Sequence, residues 1–296
     1  MKQLILLIAF IFCQIVVKAQ ILDNSNGYPF NDTPKFNSDF IKQNKIKEIK
    51  GFYSTKVNLD MIRPTNDVYV YQFDTKGRLI KEYKTKYGDT TVIQYTYDKY
   101  QNIIIYRKSD KYGFHSYHYQ YDSLNRIISK EYRRDLNRNG DKLNFELDKT
   151  YRISKETYTY ENTSIGLKKY YYNSKGILYQ IEFYYRDENN YLIKQESRLI
   201  TGNGRSVVTY KYGDKGLLIE KHQENFLAGK TTTTFKYEYD ENQNILAQHY
   251  FRNGKYLTEF QIVYNSNTML LSAIITRDEN TNFMTILKFS EYRFYE

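Results

Sequence analysis

The chain has 296 residues, a net charge of +10 and one cysteine, Cys13, which falls inside an apolar N-terminal run. Without a second thiol, disulfides and cysteine-based redox or metal sites are excluded. The 44 Lys and Arg are interleaved with 34 acids and form no basic block, which argues against a nucleic-acid footprint and for a solvated face that blunts sheet edges.

Lys2, the apolar run over 4–17 and the small residue Ala19 have the layout of a secretory signal peptide spanning 1–19, cleaved after Ala19. The run is too short for a transmembrane span, so no transmembrane segment is expected after cleavage, and the protein is expected to be secreted, periplasmic or on the cell surface. Residues 20–44 read as a leader. Its first part, 20–36, is rich in Asn, Asp, Pro and Gly and reads as flexible. Its second part, 37–44, reads as one or two helical turns with Ser38 as N-cap and Phe40 and Ile41 docking on the sheet. Residues 45–57 alternate apolar and charged side chains and read as a first strand, and 45–296 as one domain.

From residue 68 onward one unit recurs. Its turn residue is Asp74, Asp98, Asp122, Asp148, Asn173, Gly213, Asp240 and Asn265. Aromatic or apolar residues stand three before it (Tyr71, Tyr95, Tyr119, Phe145, Tyr170, Tyr210, Tyr237, Ile262) and one before it (Phe73, Tyr97, Tyr121, Leu147, Tyr172, Tyr212, Tyr239, Tyr264). An apolar residue follows five after it: Leu79, Ile103, Ile127, Ile153, Leu178, Leu218, Ile245 and Leu270. A spacing of two puts the paired rings on one face of a strand. Asp or Asn binds the backbone two residues on, and Gly77, Asn125, Gly176 and Gly216 accommodate positive φ. Each unit is therefore strand, tight turn, strand.

The turns recur at roughly 25 residues, room for two strands of about nine residues and two turns. Linking turns follow at Gly88, Gly113, Asn139–Gly140, Gly202 to Gly204 and Asn253–Gly254. A weaker copy at Asp187 lies one strand beyond Asn173 rather than two, so these two turns are expected on opposite edges. A terminal strand over 286–295 is expected to close or cap the sheet.

The fold class is therefore all-β: a long antiparallel meander of about 18–20 strands. The 34 tyrosines, with no tryptophan, stack across strands as a ladder. A single-layer ribbon leaves them wet, so the sheet is expected to curl into a spiral with one face turned inward. An outer-membrane barrel is not expected, because Lys, Glu and Gln interrupt both faces.

The unit Tyr-x-Tyr-Asp-x-x-Gly/Asn-x-Leu/Ile, at residues 95–103, 119–127 and 73–79, resembles the YD-repeat family of Rhs and teneurin-type proteins, over roughly residues 68–275. The resemblance implies spiralling β-sheet and an architecture rather than an activity. Small signal-bearing versions resemble secreted proteins of Bacteroidota. The chain departs from the large members in having no toxin domain after the repeats and no Asp-Pro-x-Gly cleavage motif, and its hairpins are too few to enclose a folded cargo.

One loop has the spacing of a calcium site: Asp135, Asn137, Asn139, Asp141 and Glu146, with Gly140 at the sharp turn. The alternative there is a plain Asn139–Gly140 hairpin, and Arg138 and Lys142 put positive charge beside the loop. His115 and His118 fall on opposite faces of a strand, so no zinc pair is expected. No nucleophile motif, acid–histidine cluster or phosphate loop is present, and no cofactor beyond calcium is called for. The expected function is that of a non-catalytic structural or protein-interaction module, with protein or polysaccharide partners at the cell envelope. The alternatives are a carbohydrate-binding protein using exposed tyrosine rings and, further off, a glycoside hydrolase built on two turn carboxylates.

Overall fold

The computed structural model describes residues 20–24, 36–86, 88–164, 166–227 and 229–296. The expected signal peptide lies outside these residues, as does most of the leader over 25–35. Among these residues one helix, α1 (Ser38–Gln43), precedes the strands β1 (Ile46–Lys56), β2 (Arg63–Phe73), β3 (Leu79–Lys86), β4 (Asp89–Tyr97), β5 (Ile103–Asp110) and β6 (Gly113–Tyr121). Then come β7 (Ile127–Asn137), β8 (Leu147–Thr163), β9 (Gly166–Tyr172), β10 (Leu178–Arg186), β11 (Leu192–Leu199) and β12 (Arg205–Tyr212). The last six are β13 (Leu218–Asn225), β14 (Thr231–Tyr239), β15 (Ile245–Arg252), β16 (Lys255–Tyr264), β17 (Leu271–Asp278) and β18 (Met284–Phe294).

Every strand pairs antiparallel with its successor, from β1 with β2 to β17 with β18. β18 then pairs with β1, Gly51 opposite Phe289 and Thr55 opposite Thr285. The meander is as expected, but the spiral is not: the sheet is a closed barrel of 18 strands. A spiral keeps two open edges, whereas closure leaves none. The strand that closes the ring is β1, which lies before the repeats and carries none of their signature.

The two faces differ in kind. The inner wall carries Tyr71, Phe73, Tyr95, Tyr210, Tyr237 and Phe289, buried in one core with Leu79, Leu218, Ile245 and Leu271. The outer wall carries Glu48, Lys50, Gln72, Lys81 and Glu291, with Lys50 paired to Glu291 at 3.0 Å. A membrane barrel has a continuous apolar belt in that position; here these charged and polar side chains interrupt it. Among the described residues no helix is long and apolar enough to cross a membrane.

The tyrosines one place before the turns, Tyr172 excepted, act as staples. Tyr97 donates its hydroxyl to the Leu79 carbonyl (2.6 Å), Tyr121 to Ile103 (2.7 Å), Tyr239 to Leu218 (2.7 Å) and Tyr264 to Ile245 (2.8 Å). Each acceptor begins an odd-numbered strand, where the hydrogen-bonded ladder with the next strand has already ended, as at Lys81 opposite Gln94. The phenol supplies the partner that this carbonyl would otherwise lack. Tyr295 repeats the staple across the closure, donating to the Phe73 carbonyl.

The turns follow Asp and Asn chemistry. Asp74 accepts the backbone N–H groups of Lys76 and Arg78, both at 2.9 Å, and Gly77 has φ +78°. Gln101, Asn190 and Gln243 take the same left-handed place in other copies. Asp148 does not: it lies inside β8, and the connection there is a loop over 138–146. The apolar pattern matched, but Phe145 packs outward on Phe114, ring centroids 4.5 Å apart. At Asn265 the turn is one residue longer, so Leu271 rather than Leu270 pairs with Tyr264. The turns at Asn173 and Asp187 lie at opposite ends of β10, on opposite edges of the barrel as their spacing predicts.

The first part of the leader was expected to be flexible, yet Ile21 and Leu22 are fully buried. Leu22 bridges Phe36, whose ring meets Tyr71 and Phe73 edge-on at 4.9 Å. The N-cap of the helix is Asn37, not Ser38: the Asn37 side chain accepts the N–H groups of Asp39 (3.1 Å) and Phe40 (3.3 Å). Phe40 and Ile41 are buried as expected. This segment plugs the barrel end that carries the turns at Asp74, Asp98, Asp122, Asp187, Gly213 and Asp240. The reason is simple: the inner wall at that end is aromatic and needs an apolar cover.

Candidate functional site: a tyrosine-walled cavity beside the plug

The plug does not fill the mouth. Between it and β10 to β13 lies a cavity of about 940 Å³. Tyr184, Tyr191, Tyr210, Tyr212 and Tyr239 line it from the barrel, and Phe36 and Asn24 from the plug. Asp23, Asp39, Arg186 and Lys215 place two acids and two bases around it, with Gln195 and Gln243 adding amides.

The rings are fixed by their own hydrogen bonds. Tyr212 donates to the Leu192 carbonyl at 3.0 Å and lies 4.8 Å from the ring of Tyr191. Tyr191 sits four places after Asp187, where other copies have Arg78, Asn102 or Arg126. Its hydroxyl lies over the next turn, where a Cβ on Gly216 would come within 2.2 Å. Tyr239 donates to the Leu218 carbonyl and accepts the Asn24 amide at 2.6 Å, tying plug to wall. Burial pushes its phenol up to about 12.

Behind the cavity the inner wall holds a network. Tyr171, Tyr184 and the Gln195 amide all donate to the Glu182 carboxylate, and Tyr210 donates to Gln195 at 3.2 Å. The same device recurs at Glu156, held by Tyr158 and Tyr179 at 2.7 Å, and at Glu82, held by Tyr69 and Tyr95 at 2.5 Å. Burial raises the Glu82 carboxyl above its ordinary range against the pull of both phenols. Lys169 lies over the rings of Tyr158 and Tyr171, 4.1 and 4.5 Å from their centroids, and burial lowers its ammonium below the usual lysine value despite Glu182 and Glu156 nearby. The wall is thus a set of aromatic planes and satisfied polar groups.

Of the five residues with the calcium spacing, Asn137, Asn139, Asp141 and Glu146 meet in one hydrogen-bonded loop, whereas Asp135 is engaged elsewhere. The buried Asp135 carboxylate is committed to Arg107 (2.7 Å) and Thr150 (2.7 Å) on the outer wall. Asn137 accepts the Glu146 N–H and donates to the Asp141 carbonyl, while Asp141 accepts the Leu143 N–H and the Asn144 amide. The loop closes on its own hydrogen bonds and lies along the outer wall, with Lys142 paired to Asp89 at 3.2 Å. Among the described residues no three His, Cys, Asp or Glu cluster as metal ligands would. His115 approaches Asp110, and His118 contacts Ser116, on opposite faces of β6.

Sequence reasoning flagged Tyr210, Tyr212 and Tyr239 as repeat tyrosines. It missed Tyr191 and the plug residues. The available signal for Tyr191 was an aromatic residue in a turn place held elsewhere by Arg or Asn.

No family model matches the chain. The YD-repeat resemblance, and the Rhs label that came with it, do not stand, because the strands close into an 18-stranded barrel instead of a spiralling sheet. No curated protein matches it either. Among solved structures it overlaps a porin-like protein from Bacteroides uniformis at 11% identity, over 84% of this chain and 98% of that one, TM-score 0.37. A porin-like protein from Bacteroides vulgatus overlaps at 12% identity, 81% and 96% coverage and TM-score 0.35. A LolA superfamily protein from Nitrosomonas europaea overlaps at 11% identity, 86% and 91% coverage and TM-score 0.23. Overlaps this loose carry no statement about what the chain binds.

Proposed function

We propose that this is a non-catalytic extracytoplasmic binding protein that holds a carbohydrate in the cavity beside its plug. The observation that carries the reading is the lining: five tyrosine rings with amides and both charge signs around a cavity of about 940 Å³. A volume of that order suits a small ligand of a few rings. Sugars present C–H faces that stack on aromatic planes and hydroxyls that need amides and charged groups, and this wall offers both. The signal-like N-terminal segment supports an extracytoplasmic location. The Glu182 carboxylate is spoken for by two phenols and an amide, which supports binding rather than acid–base work.

The test is a glycan array followed by calorimetry on the best hit, with wild type and Tyr191→Ala. Binding weakened roughly tenfold or more by Tyr191→Ala is the expected result, the order of one lost ring contact. An array with no hit, or a hit unaffected by Tyr191→Ala and Tyr212→Ala together, would overturn the reading.

A further inference from the structure

The turns at the end away from the plug are built differently. The loop joining β1 to β2 exposes Val57, Leu59, Met61 and Ile62, with Leu59 99% and Met61 73% exposed. Leu59 also has φ +63°, a conformation that favours Gly or Asn. A leucine held there and left in water contributes nothing to the barrel. Around the same rim stand Tyr112, Leu227 and Phe283, all exposed. These come from turns that the topology brings to one end, so the residues form a broken ring rather than scattered positions.

Charge separates along the same axis. Four rim acids are matched by neighbours: Asp60 with Arg63, Asp89 with Lys142, Asp110 with Arg134 and Glu279 with Arg277. Lys111, Lys175 and Lys255 stand exposed beside them. The plugged end carries Asp98, Asp187, Glu188, Asp240 and Glu241 in its turns, besides Asp74 and Asp122, which are paired to Arg78 and Arg126.

We infer that the unplugged rim docks the barrel end-on against an anionic lipid surface. Exposed Leu, Met and Phe beside Tyr and Lys are the groups that enter an interfacial layer, apolar side chains first, with phenol and ammonium at the headgroups. Two features commit the occupant to lipid. The cations match anionic headgroups, and the strained leucine stands at a protruding loop tip rather than in a groove that a protein would fill. The acidic plugged mouth, with its cavity, then points away from the membrane.

The test is flotation of the full chain with vesicles of neutral phosphatidylcholine, or of the same lipid with about one third phosphatidylglycerol, at low and high salt. Recovery with anionic vesicles at least tenfold above neutral ones is expected. The double variant Leu59→Asp/Met61→Asp is expected to abolish it, and Lys111→Glu/Lys255→Glu to reduce it severalfold. These positions are exposed, so circular dichroism should show an unchanged barrel. Tyr191→Ala should float as wild type does, which separates this inference from the sugar reading. Recovery from neither vesicle, equal recovery from both, or recovery indifferent to the Leu59/Met61 variant would overturn it. So would a dimer in sedimentation that the same variant dissolves, because the rim would then be an interface between copies of this chain.

Discussion

At the scale of single residues, tyrosine explains more of this protein than any other side chain. Its ring fills the inner wall while its hydroxyl finds a carbonyl or a buried carboxylate, as phenylalanine cannot. Glu82 shows what that permits. It is 1% exposed and clamped by Tyr69 and Tyr95, and burial holds its carboxyl above the ordinary range. The folded chain therefore keeps a proton that the unfolded chain releases. The stability tied to that proton is complete below the unfolded pKa and is lost as pH rises through the folded one. Glu82→Gln should flatten that loss. Urea unfolding at about pH 4 and about pH 8 is expected to give a smaller difference for the variant than for wild type. The recurrence of the tyrosines was legible from the sequence. Their partners were not, because the staple hydroxyls of Tyr97, Tyr121, Tyr239 and Tyr264 each reach a strand of the preceding hairpin, and spacing along one strand says nothing of what lies across from it.

At the scale of elements, the plug and its seat on the β2–β3 turn form the contact most sensitive to a single atom. A Cβ on Gly77 would come 1.9 Å from the Ser38 carbonyl oxygen, and the φ of +78° disfavours any other residue. Gly77→Ala should therefore lift α1 off the turn rather than unfold the barrel. The expected outcome is early proteolysis confined to residues before about 45, with barrel fragments intact, and a loss of stability of at least about 1 kcal/mol. Protection equal to wild type would show that the seat is not needed. Elements with their own local grammar were readable: the Asp–x–x–Gly turns, the short helix and the first strand. The failures at this scale also have causes. Asp148 had apolar neighbours at the right spacing but no turn, because β8 runs straight through it. Ser38 was preferred as a cap over Asn37, although the two are adjacent and equally suited. Within the calcium spacing, the Asp135 carboxylate is bound by Arg107 from β5, a long-range partner that a linear motif does not encode.

At the scale of the whole molecule, the number of strands and their order could be read, but closure could not. Twist and a buried face require that the ribbon curve. Whether it spirals or meets itself depends on the match between β1 and β18, two segments outside the repeat at opposite ends of the chain. Removing residues 284–296 should expose both β1 and β17 as bare edges. The expected result is a chain that keeps its β-type circular dichroism but associates through those edges, seen as high-mass species in light scattering. A monomer of unchanged stability would argue that the seam is dispensable.

That seam also orders events in time. Seventeen of the pairings join strands that are neighbours along the chain, and these can zip as the polypeptide emerges. The eighteenth joins the earliest strand to the latest. It demands a loop of nearly the full length and must wait for the final residues. Throughout synthesis and folding the N-terminal strand remains an adhesive flank open to any passing chain. Speed of ring completion, more than the depth of the native well, is then what decides how much of this protein survives its own synthesis.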